Sequence, residues 1–301
     1  MSELLIVGSA AYDTIITPVE TREYIIGGSG AYAAYAASFF TKTRLCAAVG
    51  NDWGPERTKI FTDQGIDVSD LEIHSDEKTF FWKGEYYVAT NIRTTLETQL
   101  NVLGKFWPNL TAEARKIPYL YLANNPPSTQ MEVIRQCENL KFVVADTMNF
   151  YIQSQQKELL ELMTMIDGLV LNDEESEMLT GKKDIFAAGE QLLQMGPKFV
   201  IIKKGAHGSL FFAPETLFVL PAYPTRNLVE PTGAGDSFAG AMMAYLASQD
   251  ATDTETIKKA MAYGTVTASF VVEDFSFDAL RRCSRQEIET RMENFRKMLQ
   301  F

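Results

Sequence analysis

Six short apolar runs recur along this sequence, each four or five residues long, and they alternate with segments whose apolar residues have helical spacing. Runs without a polar interruption are typical of strands that are buried on both faces, and such strands occur in parallel sheets. The six runs are Leu4 to Val7, Leu45 to Val49, Tyr119 to Leu122, Phe142 to Ala145, Gly168 to Leu171 and Phe199 to Ile202. Their alternation with helices predicts an α/β fold, a doubly wound and mostly parallel sheet flanked by helices.

Five segments between and after these runs predict helices, because their apolar residues recur every three or four positions or because small residues dominate them. They are Gly30 to Phe40, Asp184 to Met195, Ser237 to Ser248, Thr254 to Val272 and Arg285 to Leu299. The sequence has no internal repeat, low-complexity tract or linker, so we expect one domain over residues 1–301.

Two β-rich segments interrupt this alternation. Thr14 to Ile26 is one, and Lys78 to Thr94, with aromatic and β-branched residues on both sides of Gly84, is the other. The second predicts an antiparallel hairpin. Together the two segments predict a small antiparallel sheet inserted in the domain at about 13–26 and 78–97, projecting from the main body as a lid. The exposed edges of such a lid leave a homodimer through it as an open alternative.

The composition disfavours several classes of function. A net charge of −11 and a sequence pI near 4.8 disfavour broad binding of nucleic acid or of an anionic membrane. The three cysteines are widely separated and predict neither a disulfide framework nor a CxxC metal site. The N-terminus predicts a first strand and not a signal peptide, and no apolar stretch reaches membrane-spanning length. We therefore expect a cytoplasmic protein.

The motif with the clearest chemistry runs from Glu230 to Phe238 with the sequence EPTGAGDSF. Gly233 and Gly235 permit a tight turn and close approach of a ligand to the backbone. The helical spacing begins directly afterwards, so the turn would present free amides and a positive dipole end to an anion. Asp236 lies in the first turn, where a carboxylate can accept a proton from a hydroxyl group. A helix-capping role for Asp236 is the alternative.

From Thr232 to Phe238 this motif resembles that of the ribokinase/PfkB carbohydrate kinase family, whose pattern is Asp-Thr-x-Gly-Ala-Gly-Asp-x-Phe. The family also contains adenosine kinase and bacterial nucleoside kinases. The resemblance implies a ribokinase-like fold, ATP as co-substrate with Mg²⁺, and Asp236 as the general base. It also implies that Thr232 lies at the ATP site. It further implies that the turn formed by Gly233, Ala234 and Gly235 binds the negatively charged phosphoryl group. The chain departs from the pattern at Glu230 and Pro231, which leaves open whether it has a monovalent-cation site.

A second resemblance lies near the N-terminus. Gly27 and Gly28 match the family's di-glycine turn, but Tyr32 stands where the family has a sugar-binding asparagine. Asp13, shortly after the first apolar run, matches the acidic position that binds substrate hydroxyls. The resemblance implies that Asp13, Gly27, Gly28 and Tyr32 contact the acceptor. Alternatively, the glycines form a tight turn that serves helix packing alone.

Two further motifs are expected on the nucleotide side. Asn172 and Glu175 match the family's N-x-x-E motif, which implies that Glu175 organises Mg²⁺, through water, while Asn172 contacts ATP. The same spacing also predicts a capping box at a helix N-terminus, and both roles are compatible. Lys204, Gly205 and Gly208 match the loop that the family's last parallel strand delivers to ATP.

Two aspartates complete the resemblance. Asp52 follows the second apolar run, and we assign it a structural role. Asp146 lies where the family has an Asp-x-Asn motif at the end of a strand, but the spacing from Asp146 to Asn149 is one residue longer than in the family. The assignment of these two residues to the site therefore stays open.

Together these motifs predict an ATP-dependent phosphotransferase whose acceptor is an alcohol group of a sugar or sugar derivative. A nucleoside is the alternative acceptor, because Tyr32, Phe80, Phe81 and Trp82 could form an aromatic slot for a base. A ligand-binding relative without catalysis is a further alternative, disfavoured by the presence of Asp236. A dinucleotide-dependent oxidoreductase is disfavoured because Gly8-Ser-Ala-Ala-Tyr12 lacks the GxGxxG turn.

Overall fold

The computed structural model describes residues 2–87 and 92–300. The strands in this part of the chain are β1 (Leu4–Val7), β2 (Ala11–Ile16), β3 (Thr21–Gly27), β4 (Thr43–Gly50), β5 (Asp67–His74), β6 (Phe80–Tyr87), β7 (Ile92–Gln99), β8 (Tyr119–Leu122), β9 (Phe142–Asp146), β10 (Gly168–Asn172), β11 (Phe199–Lys203), β12 (Ser209–Ala213) and β13 (Thr216–Leu220). All six predicted strands are among them.

The helices in the same part of the chain are α1 (Ser29–Ala37), α2 (Pro55–Asp63), α3 (Pro127–Gln136), α4 (Asn149–Ser154), α5 (Gln156–Met163), α6 (Asp173–Thr180), α7 (Ile185–Gln194), α8 (Ala234–Gln249), α9 (Thr254–Val271), α10 (Asp278–Arg281) and α11 (Arg285–Met298). The five predicted helices correspond to α1, α7, α8, α9 and α11, with ends that differ by up to three residues. None of the helices in the described residues is long and apolar enough to cross a membrane.

Nine strands form the main sheet, in the order β13-β12-β11-β10-β9-β8-β1-β4-β5. Pairing is parallel from β5 to β11, and the hairpin β12–β13 adds an antiparallel edge. The chain leaves β1 toward β4 and β5 and later returns on the other side of β1 through β8. The strand order therefore reverses beside β1, and ligands of open α/β sheets bind outside the carboxyl ends of strands at such a point. The predicted fold class is confirmed.

Each face of the sheet is covered by a separate apolar layer. One layer includes α1, α8 and α9, and the other includes α3, α5 and α7. This two-sided burial is the reason that the strands are apolar without interruption. Helices α1 and α8 pack especially closely, since a Cβ on Gly240 would overlap the backbone of Ala33. All nine residues of α1 are buried, and all but its two tyrosines are small, which permits that approach.

The second sheet has four strands in the order β3-β2-β6-β7 and corresponds to the predicted lid. Its hairpins β2–β3 and β6–β7 are antiparallel, as expected, but β2 and β6 pair in parallel. Its small core contains Ile15, Tyr86 and Phe275. Ser276 Oγ also donates a hydrogen bond to the carbonyl oxygen of Ile26 at 2.6 Å, which ties β3 to the segment after α9.

Candidate active site

The turn before α8 lies at the centre of the candidate site. Gly233 has a φ of 75°, in the left-handed region that favours glycine, and it is the N-cap residue of α8. A Cβ on Gly233 would overlap the ring of Tyr32, so the turn lies directly on that ring. Asp236 is the third residue of the helix and not its cap. The free amides in the first turn of α8 point to the space in front of the helix, and Asp236 is the carboxylate next to that space.

A lysine at the end of β11 lies beside this turn. Lys203 Nζ is 2.8 Å from Asp146 Oδ2 at the end of β9, and its side chain is 19% exposed. Burial acts to lower the pKa of Lys203, but the charges of Asp146, Glu175 and Asp236 outweigh it, so that the pKa lies above its ordinary value. Asp146 on β9 is thus in contact with this ammonium group, and the charges of Glu175 on α6 and Asp236 on α8 also act on it.

Asp146 itself is held in place by two neighbours. Tyr121 donates its hydroxyl hydrogen bond to Asp146 Oδ2 at 3.3 Å, and the amide of Thr147 donates to Oδ1 at 2.7 Å. Asp146 therefore lies beside the candidate site through its contact with Lys203, and its functional role, which the irregular spacing to Asn149 left open, stays a prediction. Asp52 accepts from Thr79 N at 2.8 Å and from Thr79 Oγ1 at 2.6 Å, contacts that fit the structural role expected for it.

The sequence placed Lys204 at the ATP site, left open whether it pairs with a phosphate, and did not single out Lys203. Lys203 is the last residue of β11, and only its side chain is placed by the strand. Lys204 follows β11, and its amide donates to the carbonyl oxygen of Gly208 at 2.7 Å, closing the Gly205–His207 3₁₀ turn. In the described residues Lys204 forms no ion pair. The nucleotide-side roles of Lys204, Gly205 and Gly208 stay predictions.

Asn172 and Glu175 form the predicted capping box at the start of α6. Asn172 Oδ1 accepts from Glu175 N at 2.8 Å, and Glu175 Oε2 accepts from Asn172 N at 2.7 Å. Glu175 is 6% exposed. Among residues 2–87 and 92–300 no group of three or more His, Cys, Asp or Glu side chains could cage a metal ion. Mg²⁺ fits such a site well, because it retains waters and binds substrate phosphates together with one or two carboxylates. A water-mediated role for Glu175 stays a prediction.

The predicted acceptor residues meet where β2, β3 and α1 adjoin. Asp13 is 4% exposed, and a Cβ on Gly27 would overlap its carboxylate, so the two residues are in contact. Gly28 follows with a φ of 98° and is the N-cap of α1. These positions bring the predicted diol-binding carboxylate to the amide end of α1. Their roles in acceptor binding stay predictions.

Tyr32 is placed differently from the aromatic slot that the sequence indicated. Its ring is 1% exposed and packs between the Gly233 turn and the edge of Phe277, whose ring centroid is 5.6 Å away. Burial raises the pKa of the Tyr32 hydroxyl well above its ordinary value, and the charges of Glu230 and Asp13 act in the same direction. The hydroxyl therefore lies near both carboxylates, while the ring supports the turn.

The lid presents a different pair of aromatic residues to the site. Asp13 and Trp82 are direct partners in the parallel pairing of β2 with β6, so both lie on one face of the lid. Tyr86 is further along that face, and its hydroxyl oxygen accepts from Thr232 Oγ1 at 2.9 Å. Phe81 instead packs on Tyr24, with ring centroids 5.3 Å apart. The four rings that the sequence suggested as a slot for a base therefore do not form one cluster. The sequence pattern did not identify Tyr86 as part of this face.

Glu230 is fully buried beneath the same turn. Its Oε2 accepts from Thr232 N at 2.8 Å, and among the described residues its Oε1 has no hydrogen-bond partner. Burial raises the pKa of Glu230 to about 7, against the hydrogen bonds from Thr232, which lower it. This is one of the two positions at which the chain departs from the family motif.

Known proteins resemble this chain over nearly its whole length. A nucleoside kinase of Methanothermobacter thermautotrophicus is 26% identical over 90% of this chain and 90% of its own length. The structure of Burkholderia thailandensis nucleoside kinase in complex with inosine superposes with a TM-score of 0.82 at 17% identity, over 97% of both chains. That of a putative ribokinase II from E. coli in complex with ATP and Mg²⁺ gives 0.76 at 18% identity, over 98% of this chain and 100% of that one.

The structural likeness shows a ribokinase fold. Residues 1–279 also match the sequence profile of the pfkB family of carbohydrate kinases. The match includes the lid strands, the Asp13 segment and the Gly233 turn, and it confirms the resemblance found in the motifs. The chain belongs to the pfkB family of carbohydrate kinases and is a kinase of the sugar and nucleoside type.

Proposed function

We propose that this kinase transfers the γ-phosphoryl group of ATP to a sugar hydroxyl of a nucleoside. The observation that carries the proposal is the pairing of Asp13 with Trp82 on one face of the lid. A carboxylate suits vicinal hydroxyls, and an aromatic ring beside it offers a surface on which a base can stack. Relatives named nucleoside kinase favour the same acceptor.

The proposed chemical step uses groups from the amino end of α8. The acceptor oxygen attacks the γ-phosphorus, its proton passes to Asp236, and the bond from the γ-phosphorus to the bridging oxygen breaks to release ADP. The turn formed by Gly233, Ala234 and Gly235 would place amides on the phosphoryl oxygens, where negative charge accumulates. Asp13, Gly27 and Gly28 would hold the sugar so that the attacking oxygen faces that turn.

On the nucleotide side we assign ATP to the edge formed by Asn172, Thr232 and the Gly205–Gly208 turn. Mg²⁺, when bound with ATP, supplies positive charge that neutralises the phosphates. Glu175 would orient its water ligands from the start of α6. The lid would close over the acceptor and exclude water, limiting hydrolysis of ATP.

A free sugar is the second candidate acceptor. Asp13, which contacts Gly27, provides a carboxylate for any vicinal diol. This interaction does not require that the acceptor carry a nucleobase. In that case Trp82 would serve the lid core, where it packs beside Tyr86 with ring centroids 6.5 Å apart. The two candidates differ in whether the base contributes to binding.

The test is acceptor-dependent ADP release with Mg-ATP against purine and pyrimidine nucleosides, pentoses, hexoses and sugar acids, with Asp236→Asn as the blank. We expect turnover with nucleosides that the blank lacks, a loss on the order of 10²- to 10⁴-fold for a missing general base. Turnover with free sugars alone would replace the nucleoside with the second candidate. Acceptor binding without ADP release by the wild-type protein would indicate a non-catalytic relative.

A further inference from the structure

Lys203 extends from the end of β11 toward the amino end of α8. Its Nζ lies 2.8 Å from Asp146 Oδ2, and a Cβ on Gly235 would lie 3.1 Å from the same nitrogen. The ammonium group is therefore in contact with the turn whose amides are assigned to the transferring phosphoryl group. Its position follows from the strand, because Lys203 is the last residue of β11 and α8 begins directly opposite.

The ammonium group of Lys203 has donors beyond its ion pair. Neighbouring carboxylates, Asp146 first among them, hold its pKa above the ordinary value, so it is positively charged at neutral pH. The pair with Asp146 uses one of the three N–H donors that an ammonium group has. The other two are available to a ligand beside Gly235, where the phosphoryl group would lie. Pairing with Asp146 keeps the lysine protonated and fixed in direction before ATP arrives.

Lys204 has a different environment. Its backbone closes the 3₁₀ turn through Gly208 and, at φ −124° and ψ 33°, lies outside the extended conformation of β11. Within the part of the chain that the structure describes, only Lys203 of the two makes an ion pair at the sheet edge.

We propose that Lys203, and not Lys204, is the lysine that binds the γ-phosphate of ATP and stabilises its charge during transfer. The role of Lys203 in phosphoryl transfer rests on the proposed function, whereas its contact with ATP does not. Lys203 remains protonated throughout and donates hydrogen bonds to a γ-phosphoryl oxygen. The acceptor proton goes to Asp236, so Lys203 neither gains nor loses one. Its place between Asp146 and Gly235 lets it follow the phosphoryl group from ATP to the acceptor.

The experiment compares three single substitutions, Lys203→Met, Lys204→Met and Lys198→Met. Lys198 is the matched control, because it also pairs with an aspartate, Asp167 at 2.7 Å, but just before the opposite end of β11 and with its side chain 79% exposed. Affinities for Mg-ATP and Mg-ADP are measured by calorimetry without acceptor. For Lys203→Met we expect ATP affinity to fall roughly 10- to 100-fold, as for a lost charge-assisted hydrogen bond, and ADP affinity to fall much less.

Two outcomes would overturn the assignment. A larger loss of ATP affinity in Lys204→Met would return the contact to that residue, and equal losses for ATP and ADP in Lys203→Met would remove it from the γ-phosphate. Neither measurement involves an acceptor. An acceptor panel without turnover would therefore contradict the proposed function while leaving this test intact.

Lys203→Met also leaves Asp146 buried without its cation, which could destabilise the fold. The double variant Asp146→Asn with Lys203→Met removes both charges; the asparagine oxygen still accepts from the Thr147 amide, and its NH₂ group donates to the Tyr121 hydroxyl oxygen. We expect the double variant to regain thermal stability but not ATP affinity. Recovery of ATP affinity together with stability would mean that Lys203 serves only to neutralise Asp146.

Discussion

At Glu230 a carboxyl group is enclosed directly beneath the Gly233 turn, fully buried and with its pKa raised to about 7 from an ordinary 4.5. Burial is the main cause, because it disfavours the charged form. At pH values below 4.5 the group is protonated in the folded and unfolded states alike. Between pH 4.5 and 7 the unfolded chain releases the proton while the folded chain retains it, so the free energy of unfolding falls as the pH rises.

We therefore expect Glu230→Gln to stabilise the protein at pH 8 but not at pH 4.5. The difference in unfolding free energy should grow between these values and reach about 3 kcal/mol, since one pKa unit corresponds to ~1.4 kcal/mol. Urea unfolding at several pH values measures it. A difference that does not vary with pH would contradict the raised pKa of Glu230.

Trp82 gives a prediction about the acceptor. Stacking of a base on an aromatic ring contributes about 1–3 kcal/mol. Trp82→Ala should therefore raise the KM for a nucleoside roughly tenfold or more and leave the KM for ATP unchanged. Trp107, which is 54% exposed, provides the matched control Trp107→Ala. Equal nucleoside KM values in the two variants would argue against a stacked base.

Single residues were harder to predict from the sequence than motifs. The motif from Thr232 to Phe238 identified the turn and Asp236, because glycines and a helical pattern are visible in the sequence itself. The choice between Lys203 and Lys204 depends on where β11 ends and the 3₁₀ turn begins, and a sequence pattern does not fix the end of a strand to one residue. The burial of Glu230 depends on packing by the chain around Ser276, which no local pattern reveals.

At the level of single elements, the turn between Glu230 and α8 has little room to change. Gly233 adopts a left-handed conformation, and the Tyr32 ring occupies the space that a side chain would need. Gly181 has a similar φ of 70° at the end of α6, but nothing lies within 4 Å of its Cβ position. Substitutions at the two glycines therefore allow the free-energy cost of backbone strain to be separated from the cost of steric overlap.

Gly181→Ala should cost about 1–2 kcal/mol of unfolding free energy from the left-handed backbone alone. Gly233→Ala should cost about 1–3 kcal/mol more, because the methyl group displaces the Tyr32 ring, and it should also abolish turnover. Thermal unfolding and ADP release measure the two effects. Equal destabilisation by the two substitutions would mean that the ring moves away without cost.

The strands and helices of the main body could be predicted because their patterns are continuous over four residues or more. The parallel pairing of β2 with β6 could not, since the two strands lie more than sixty residues apart and their partner choice depends on tertiary packing. The hairpin β6–β7 was predicted because its pattern is local, whereas the segment of β2 and β3 was identified only as β-rich.

For the molecule as a whole, the two sheets differ greatly in the amount of apolar surface that holds them. The main sheet has a broad apolar layer on each face, whereas the lid core has three buried members, Ile15, Tyr86 and Phe275. We propose that residues 1–301 form one domain in which the lid opens independently of the main body. Regions with few buried contacts open at lower free energy.

Hydrogen exchange should detect that difference. Amides of β2 and β6 are expected to exchange faster than those of β10 and β11, and Mg-ATP with acceptor should slow the lid amides selectively. Tyr86→Phe, which removes the hydrogen bond from Thr232, should accelerate exchange in the lid without changing the main sheet. Uniform exchange in both sheets would show that the lid and the body unfold together.

The close packing of α1 on α8 has a consequence for the range of acceptors. Helix α1 begins at the turn that we assign to the acceptor and α8 begins at the turn that we assign to the phosphoryl group, and they meet where Gly240 touches the backbone of Ala33. Under these assignments the separation of attacking oxygen and phosphorus is set by an interhelical distance that glycine keeps at its minimum. A larger residue at position 240 would separate the two turns. Adaptation to a new acceptor would then involve residues far from any ligand. Amino-acid substitutions confined to the lid would change the affinity for the acceptor but would not restore the distance between the attacking oxygen and the phosphorus.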